Sequence, residues 1–334
     1  MSEQSTKYNA VLVIAGVLFI IWGILGLMDA KNYTYAGYNT GDDYNVIKVE
    51  EGSPAASAGL QLGDVIKSTG GIAVTDSKAL NKRERAKIGE TRDIVVDRNG
   101  EELTLPLTYT TMKDTDSTNN TVGFIIGLLF ILIGVYAQFK HKTALSLSFA
   151  LFAVCFGYLF MNGPYISSVI LSSIVGIIST GFVLFSFTAL AIYMLQYPPE
   201  SAFLRSSNKR LLYIPMLILL AIITIITILQ PDGSGTFNMV MRLLFGAFII
   251  FYFGLAFITL IRKYISASSE ERSSKGLNMM LIGTVVGLLP ILVYFTINTI
   301  KPDVELPGND YVFYTFAAIP IFFFLAIEKQ HKAS

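Results

Sequence analysis

The chain has 334 residues, of which 53% are hydrophobic and 15% charged, with a formal net charge of +1 at pH 7. Soluble domains carry about 25% charged residues, so long apolar runs supply the excess and the class is integral membrane, while near-neutrality gives no reason for a nucleic-acid partner. The single cysteine, Cys155, excludes an intrachain disulfide and a CxxC metal or redox site; inside an apolar run, it reads as a small buried hydrophobe.

A helix takes about 20 apolar residues to cross a bilayer. Eight stretches meet or approach that length: 10–28, 122–138, 145–161, 166–195, 211–229, 239–261, 277–298 and 311–327. The second and third are short at their stated edges, and the fourth is long enough to tilt or to begin as an interfacial turn after Gly163-Pro164. Strands are excluded because the runs are long and lack period-two alternation. The first run is too long for a cleavable signal, and only Lys7 precedes it as a basic residue.

The basic residues set an orientation. Lys140, Lys142, Arg205, Lys209, Arg210, Arg262, Lys263, Arg272, Lys275, Lys329 and Lys332 fall in one set of connections, whereas 162–165, 230–238 and 299–310 contain only Lys301. The expectation is a cytoplasmic N-terminus (1–9), a first transmembrane helix (10–28), an extracytoplasmic segment (29–121), a seven-helix bundle (122–328) and a cytoplasmic tail (329–334). The predicted fold class is thus a polytopic α-helical membrane protein, eight helices arranged 1 + 7, with an extracytoplasmic β-rich domain between helices 1 and 2.

Within 29–121, Val46-Ile47-Lys48-Val49 and Asp64-Val65-Ile66-Lys67 are strand candidates. Asp76 or Ser77 caps a predicted helix through about Ile88, with Gly89 just past its end. Asp93-Ile94-Val95-Val96 and Leu103-Thr104-Leu105 flank Asn99-Gly100, a hairpin signal because both turn residues tolerate positive φ. Residues 110–121, TTMKDTDSTNNT, read as a polar linker.

Gly52-Ser53-Pro54-Ala55, Ala58-Gly59-Leu60 and Gly63-Asp64-Val65-Ile66, followed by VVDRNGEELTLPL, resemble a bacterial PDZ domain over about residues 33–108. The resemblance implies an extended peptide bound by strand addition between a strand edge and a helix. The helix is expected at 78–87, with Leu80, Glu84 and Lys87 on one face. The family's carboxylate-binding loop corresponds to Tyr35-Ala36-Gly37-Tyr38; internal or extended segments stay open as ligands. Arg83, Arg85 and Lys87 read as a solvated helix face or as an attraction for an acidic ligand.

The wider order of elements resembles the sensor half of competence-pheromone receptor histidine kinases, without the kinase. Only EKQHKAS follows the last segment. The resemblance therefore implies a stand-alone sensor signalling through a partner, or a chain whose output domain lies beyond this sequence.

Among the apolar segments the one charged residue is Arg242, expected to snorkel to the outer surface. Ser168, Ser172, Gly176 and Thr180 recur every four positions, and Gly123/Gly127 and Gly283/Gly287 repeat that spacing, which suits close helix packing or homodimerisation. Pro215, Pro290 and Pro320 are candidate kinks. Intramembrane zinc proteolysis needs two histidines one turn apart around a glutamate, but the only histidines are His141, in a basic loop, and His331, in the tail. A serine hydrolase lacks a histidine near the outer domain, and no phosphate-binding loop is present. No catalytic residue, metal site or cofactor is expected. The partners expected are an extracytoplasmic peptide or protein segment, a cytoplasmic or membrane signalling partner, and the lipid bilayer of a bacterial cytoplasmic membrane. A sensor, a scaffold holding an envelope protein, and a transporter are the functional readings.

Overall fold

The computed structural model describes residues 3–205, 207–301, 304 and 309–333. Residues 1–2 of the expected N-terminus, 302–303 and 305–308 of the 299–310 loop, and 334 of the tail lie outside the described residues.

Helix α1, Glu3–Asp29, ends in a 3-10 turn, Ala30–Asn32, and leads into the β-rich region. There β1 (Thr34–Tyr35) pairs with β8 (Thr110–Thr111), and β2 (Tyr38–Thr40) lies antiparallel to β3 (Val46–Val49). Helix α2 (Pro54–Ser57) precedes β4 (Val65–Thr69), β5 (Ile72–Ala73), helix α3 (Ser77–Lys82), β6 (Thr91–Arg98) and β7 (Glu101–Thr108). Strands β4 to β7 form a sheet in the order β5-β4-β6-β7. Alternate side chains of a strand point to one face, which sends Ile94, Val96 and Leu107 inward against Val46, Ala55, Leu60 and Ile66. The β6–β7 turn uses Asn99 and Gly100 at φ 56° and 86°, a conformation that asparagine tolerates and that glycine, without a Cβ, adopts freely.

Two expectations here need correction. Asp76 caps α3, its Oδ1 accepting from the Ala79 amide at 2.9 Å, but the helix stops at Lys82 and not near Ile88. Tertiary partners pull the next residues out of the spiral. Arg83 is extended and donates to the Thr69 carbonyl and hydroxyl (3.3 and 3.2 Å), and Arg92 takes the Glu84 carbonyl at 3.0 Å. The polar 110–121 stretch is not a simple linker either. Its start is β8, and helix α4, Asp114–His141, begins inside it with Asp114 and Asp116 favourably placed at the positive end of the helix dipole.

The bundle continues with α5 (Ala144–Tyr158), α6 (Val169–Gln196), α7 (Ala202–Arg205), α8 (Ile214–Leu229), α9 (Gly235–Ser266), α10 (Ser269–Ser274), α11 (Leu277–Gly283), α12 (Leu289–Ile300) and α13 (Ala318–Ala333). Seven helices among the described residues are long and apolar enough to cross a membrane. The remaining expected segment is α5, 15 residues long, or about 22 Å against a hydrocarbon core of about 30 Å. It is nonetheless central. Phe156 packs its ring against Phe130, Phe187 and Phe316 at 5.2, 5.8 and 5.1 Å. Gly127 of α4 and Gly157 of α5 meet backbone to backbone; a Cβ on either would lie 2.6 or 2.7 Å from the other's carbonyl oxygen.

The chain alternates between two ends of the bundle. Asn162, after α5, donates to Asn120 at 2.8 Å on the β-domain end, whereas Lys140 reaches Glu328 at 2.8 Å on the opposite end. Pro215 sits in the first turn of α8 and Pro320 is the third residue of α13, whereas Pro290 lies in the middle of the continuous span Leu277–Ile300, which α11 and α12 share. The irregular stretch before Pro290 is a π-helical turn, Thr284–Leu288.

His141 is not in a solvated loop. Its side chain is buried on the last turn of α4, its Nε2 lies 2.5 Å from Glu328 Oε1, and its ring lies 4.7 Å from that of His331.

Candidate functional site

The loop Tyr35-Ala36-Gly37-Tyr38 folds over the start of α2. The Ala36 carbonyl accepts from the Ala55 amide at 2.9 Å, and the Gly37 carbonyl accepts from the Glu50 amide at 2.9 Å and the Ser53 hydroxyl at 3.3 Å. Gly37 has φ +82°, and a Cβ there would lie 2.2 Å from the Ser53 Cβ, so only glycine fits. Ser53 in turn caps α2, accepting from the Ala56 amide at 3.1 Å. Below this, buried Asp64 receives both Nε and Nη2 of Arg98 at 2.7 and 2.8 Å. The Arg98 guanidinium holds the Asp64 carboxyl below the usual carboxylate range, against the opposing effect of burial.

Strand β2 leaves this loop paired along one edge with β3; among the described residues no strand pairs with its other edge. Arg83, just beyond α3, sets its charge near the Tyr38 phenol of β2, which burial pushes up. An unpaired strand edge beside a short helix, with a glycine loop at its head, is the geometry that accepts a further strand.

The PDZ domain family matches residues 29–108. These residues are a PDZ domain. No curated protein matches the chain.

The candidate site residues are dispersed within the PDZ domain. Tyr35, Ala36, Gly37 and Tyr38 stay together as one loop and its following strand. Leu80 lies half-buried on α3. Glu84 and Lys87 do not share its helical face, because the helix has ended before them; both are exposed, and the Lys87 amide donates to Glu90 at 2.7 Å. Arg85 is not a solvated charge. It pairs with Asp29 at 3.0 Å and stacks over Tyr33, 4.3 Å from the ring centroid.

Three sets of contacts seat the PDZ domain on the bundle. Asp29, at the end of α1, also accepts from the Tyr165 amide at 2.9 Å, so Arg85 is tied to the segment before α6. On the far side of α3, the Gly233 amide donates to the Thr75 carbonyl at 2.7 Å, and Asn238 donates to the Asp42 carbonyl at 2.9 Å. Arg242 does not snorkel freely: it pairs with Asp42 at 2.9 Å and also donates to the Thr299 carbonyl, because a carboxylate is presented to it from the PDZ domain.

The third set joins the loop to α4. Tyr35 donates to Glu50 Oε2 at 2.5 Å, and the same carboxylate pairs with Lys113, the residue that precedes α4. Hydrogen bonds from Lys113 and then Tyr35 hold the Glu50 carboxyl low, and Glu50 raises Lys113. Sequence reading did not single out Glu50, Asp42 or Lys113, whose contacts are with partners 63 to 200 residues away.

Proposed function

We propose that the protein is a non-enzymatic membrane sensor whose PDZ domain takes up an extracytoplasmic peptide or protein segment and signals to a cytoplasmic partner. One observation carries the reading: the head of the open β2 edge is coupled to the bundle through Tyr35, Glu50 and Lys113, directly at the start of α4. A strand added at β2 reaches that relay without any long connection. The bundle responds only in so far as the ligand prefers one of its two states, and about 1.4 kcal/mol of preference changes their ratio tenfold.

The proposed orientation follows the charges. Lys140 and Arg262 near the ends of α4 and α9, and Lys142, Arg272 and Lys275 in the connections that follow, lie at the end away from the PDZ domain, which suits the cytoplasm of a bacterial cell. Lys263, expected in the same connection, is instead buried on α9 and donates to the Met194 and Leu195 carbonyls. α5 and its flanks count as an eighth crossing in this reading, leaving both termini inside and the PDZ domain outside. The division into 1–9, 10–28, 29–121, 122–328 and 329–334 belongs to the same proposal.

A scaffold draws on the same seat, since a domain fastened at several points also holds a partner in place. Selection of extended peptides against the full-length protein in nanodiscs, followed by labelling of a cysteine introduced at Ser274, separates the two. The sensor requires a peptide that binds and changes the labelling rate by threefold or more, on the order of 0.7 kcal/mol. A bound peptide with unchanged labelling points to the scaffold, and absence of any binder sinks the peptide reading.

A further inference from the structure

At the end of the bundle that faces the PDZ domain, a cavity of 490 Å³ opens among α4, α5, α6, α12 and the 3-10 segment Asn309–Ala317 that precedes α13. Its deep wall is formed by Ile126, Phe156, Phe187 and Phe316, each no more than 4% exposed. Phe160, Phe295 and Phe313 complete the apolar lining, and Asn119, Asn120, Asn162 and Tyr314 stand at the mouth. Asn119 and Ile126 are seven residues apart on α4, about 10 Å along the helix axis, so the cavity reaches well inside the bundle. Gly123 lies between them on its wall, and a Cβ there would meet only the Phe160 carbonyl oxygen, at 3.8 Å. The two glycines of the Gly123/Gly127 pair therefore act differently: Gly127 lets α5 approach, and Gly123 leaves the cavity open.

Among the described residues no charged side chain lines the cavity. At the mouth, Tyr314 donates to Asn119 Oδ1, and Asn162 Nδ2 donates to Asn120 Oδ1 at 2.8 Å. Asn119 Nδ2 is left as a donor and Asn162 Oδ1 as an acceptor, neither with a partner among the described residues. A molecule in the cavity thus meets aromatic rings over most of its surface and one donor and one acceptor at one end. The rings pack edge to face, Phe316 against Phe156 and Phe160 at 5.1 and 5.3 Å, an arrangement that a further flat ring extends. An ionised group would lose its hydration and meet no opposite charge. A phospholipid tail suits the apolar part, but its phosphate would lie at a mouth without a cation to receive it.

We infer that this cavity is a second binding site, for a small neutral molecule with an aromatic ring at one end and a hydroxyl or carboxamide at the other. The ring enters among the phenylalanines, and the polar group accepts from Asn119 and donates to Asn162. The volume falls within the range of small-molecule sites, about 300–1,000 Å³. The site is separate from the β2 edge and does not rest on the peptide reading. Its mouth lies on α4 six residues after Lys113, so its occupant bears on the same helix that the Glu50 contact reaches.

The test uses the full-length protein in phosphatidylcholine nanodiscs and tritiated 2-naphthamide, with empty nanodiscs as the background. Saturable binding is expected. Unlabelled 2-naphthamide is expected to compete at least tenfold better than 2-naphthoate, which adds a charge, or 2-methylnaphthalene, which has no polar group; tenfold is about 1.4 kcal/mol. Gly123→Leu fills the cavity and is expected to weaken binding tenfold or more without lowering the melting midpoint. Asn119→Ala, which leaves the apolar lining intact, is expected to erase the advantage of the amide over 2-methylnaphthalene. Absence of saturable binding, binding unchanged in Gly123→Leu, or equal competition by the three compounds overturns the inference. A phospholipid retained by the protein in native mass spectrometry and lost from Gly123→Leu assigns the cavity to lipid and also overturns it. None of these outcomes touches the peptide reading, which fails only if no extended peptide binds.

Discussion

Asp42 Oδ2 lies 2.9 Å from Arg242 Nη2 across 200 residues of sequence, joining the β2–β3 turn of the PDZ domain to α9. Both side chains are about one quarter exposed, so the pair contributes on the order of 1 kcal/mol or less. Its importance is positional, because Arg242 also holds the carbonyl at the end of α12. Asp42→Asn is expected to leave the fold intact and to broaden the distance distribution between spin labels at Glu101 and Lys301. The exchange of charges, Asp42→Arg with Arg242→Asp, is expected to narrow it again in part. An unchanged distribution in Asp42→Asn shows that the remaining contacts suffice to seat the domain.

The relay through Glu50 makes a different prediction. Glu50→Gln keeps the shape of the Tyr35 contact but removes the charge paired with Lys113. Peptide affinity is expected to stay within about threefold, since β2 is untouched, while the response at Ser274 falls. Parallel loss of affinity and response places Glu50 in the binding surface instead.

Acid stability reports on Asp64. Its carboxyl is 1% exposed and held low by Arg98. A carboxyl with a depressed folded-state pKa stabilises the fold above its unfolded value of about 4 and loses that contribution as pH falls through the lower folded value. PDZ-domain protection in hydrogen exchange is therefore expected to be steady from pH 7 to about 5 and to fall below about 4. Asp64→Asn is expected to lower the unfolding midpoint of the domain at pH 7, because an amide nitrogen replaces one of the two oxygens that accept from Arg98 and the Gln61 amide, and to flatten the acid dependence. A mutant that retains the full acid transition assigns that transition to another carboxyl.

Two glycines at the same four-residue spacing are expected to behave oppositely. Gly127→Leu drives a side chain into the backbone of α5, where Gly157 and Phe160 leave no room. A cost of about 1–3 kcal/mol is expected, seen as a lowered melting midpoint in detergent. Gly176→Leu enters open space and is expected to leave the midpoint unchanged. Equal effects of the two substitutions contradict the packing described.

Much of the architecture was legible from local chemistry. The apolar runs mark the helices, Asn99-Gly100 marks the hairpin, and the Gly52–Ile66 stretch resembles a PDZ domain by its residues alone. The loop 35–38 was singled out by that resemblance, and its fold over α2 comes from the Ala36 and Gly37 carbonyls. Helical periodicity, in contrast, overextended α3 through Glu84 and Lys87, because no spacing rule registers that Arg83 has Thr69 to bond and that Glu84 has Arg92. Polar composition likewise hid the start of α4.

Residue order alone determined that this chain is rich in membrane-length helices and carries a PDZ domain, since hydropathy and turn conformations are properties of neighbouring residues. Only the tertiary structure decided where that domain rests, because Asp42 with Arg242, Arg85 with Asp29 and Glu50 with Lys113 are pairs of charges from distant segments. Coulombic attraction depends on separation in space, and folding alone brings those groups within 4 Å.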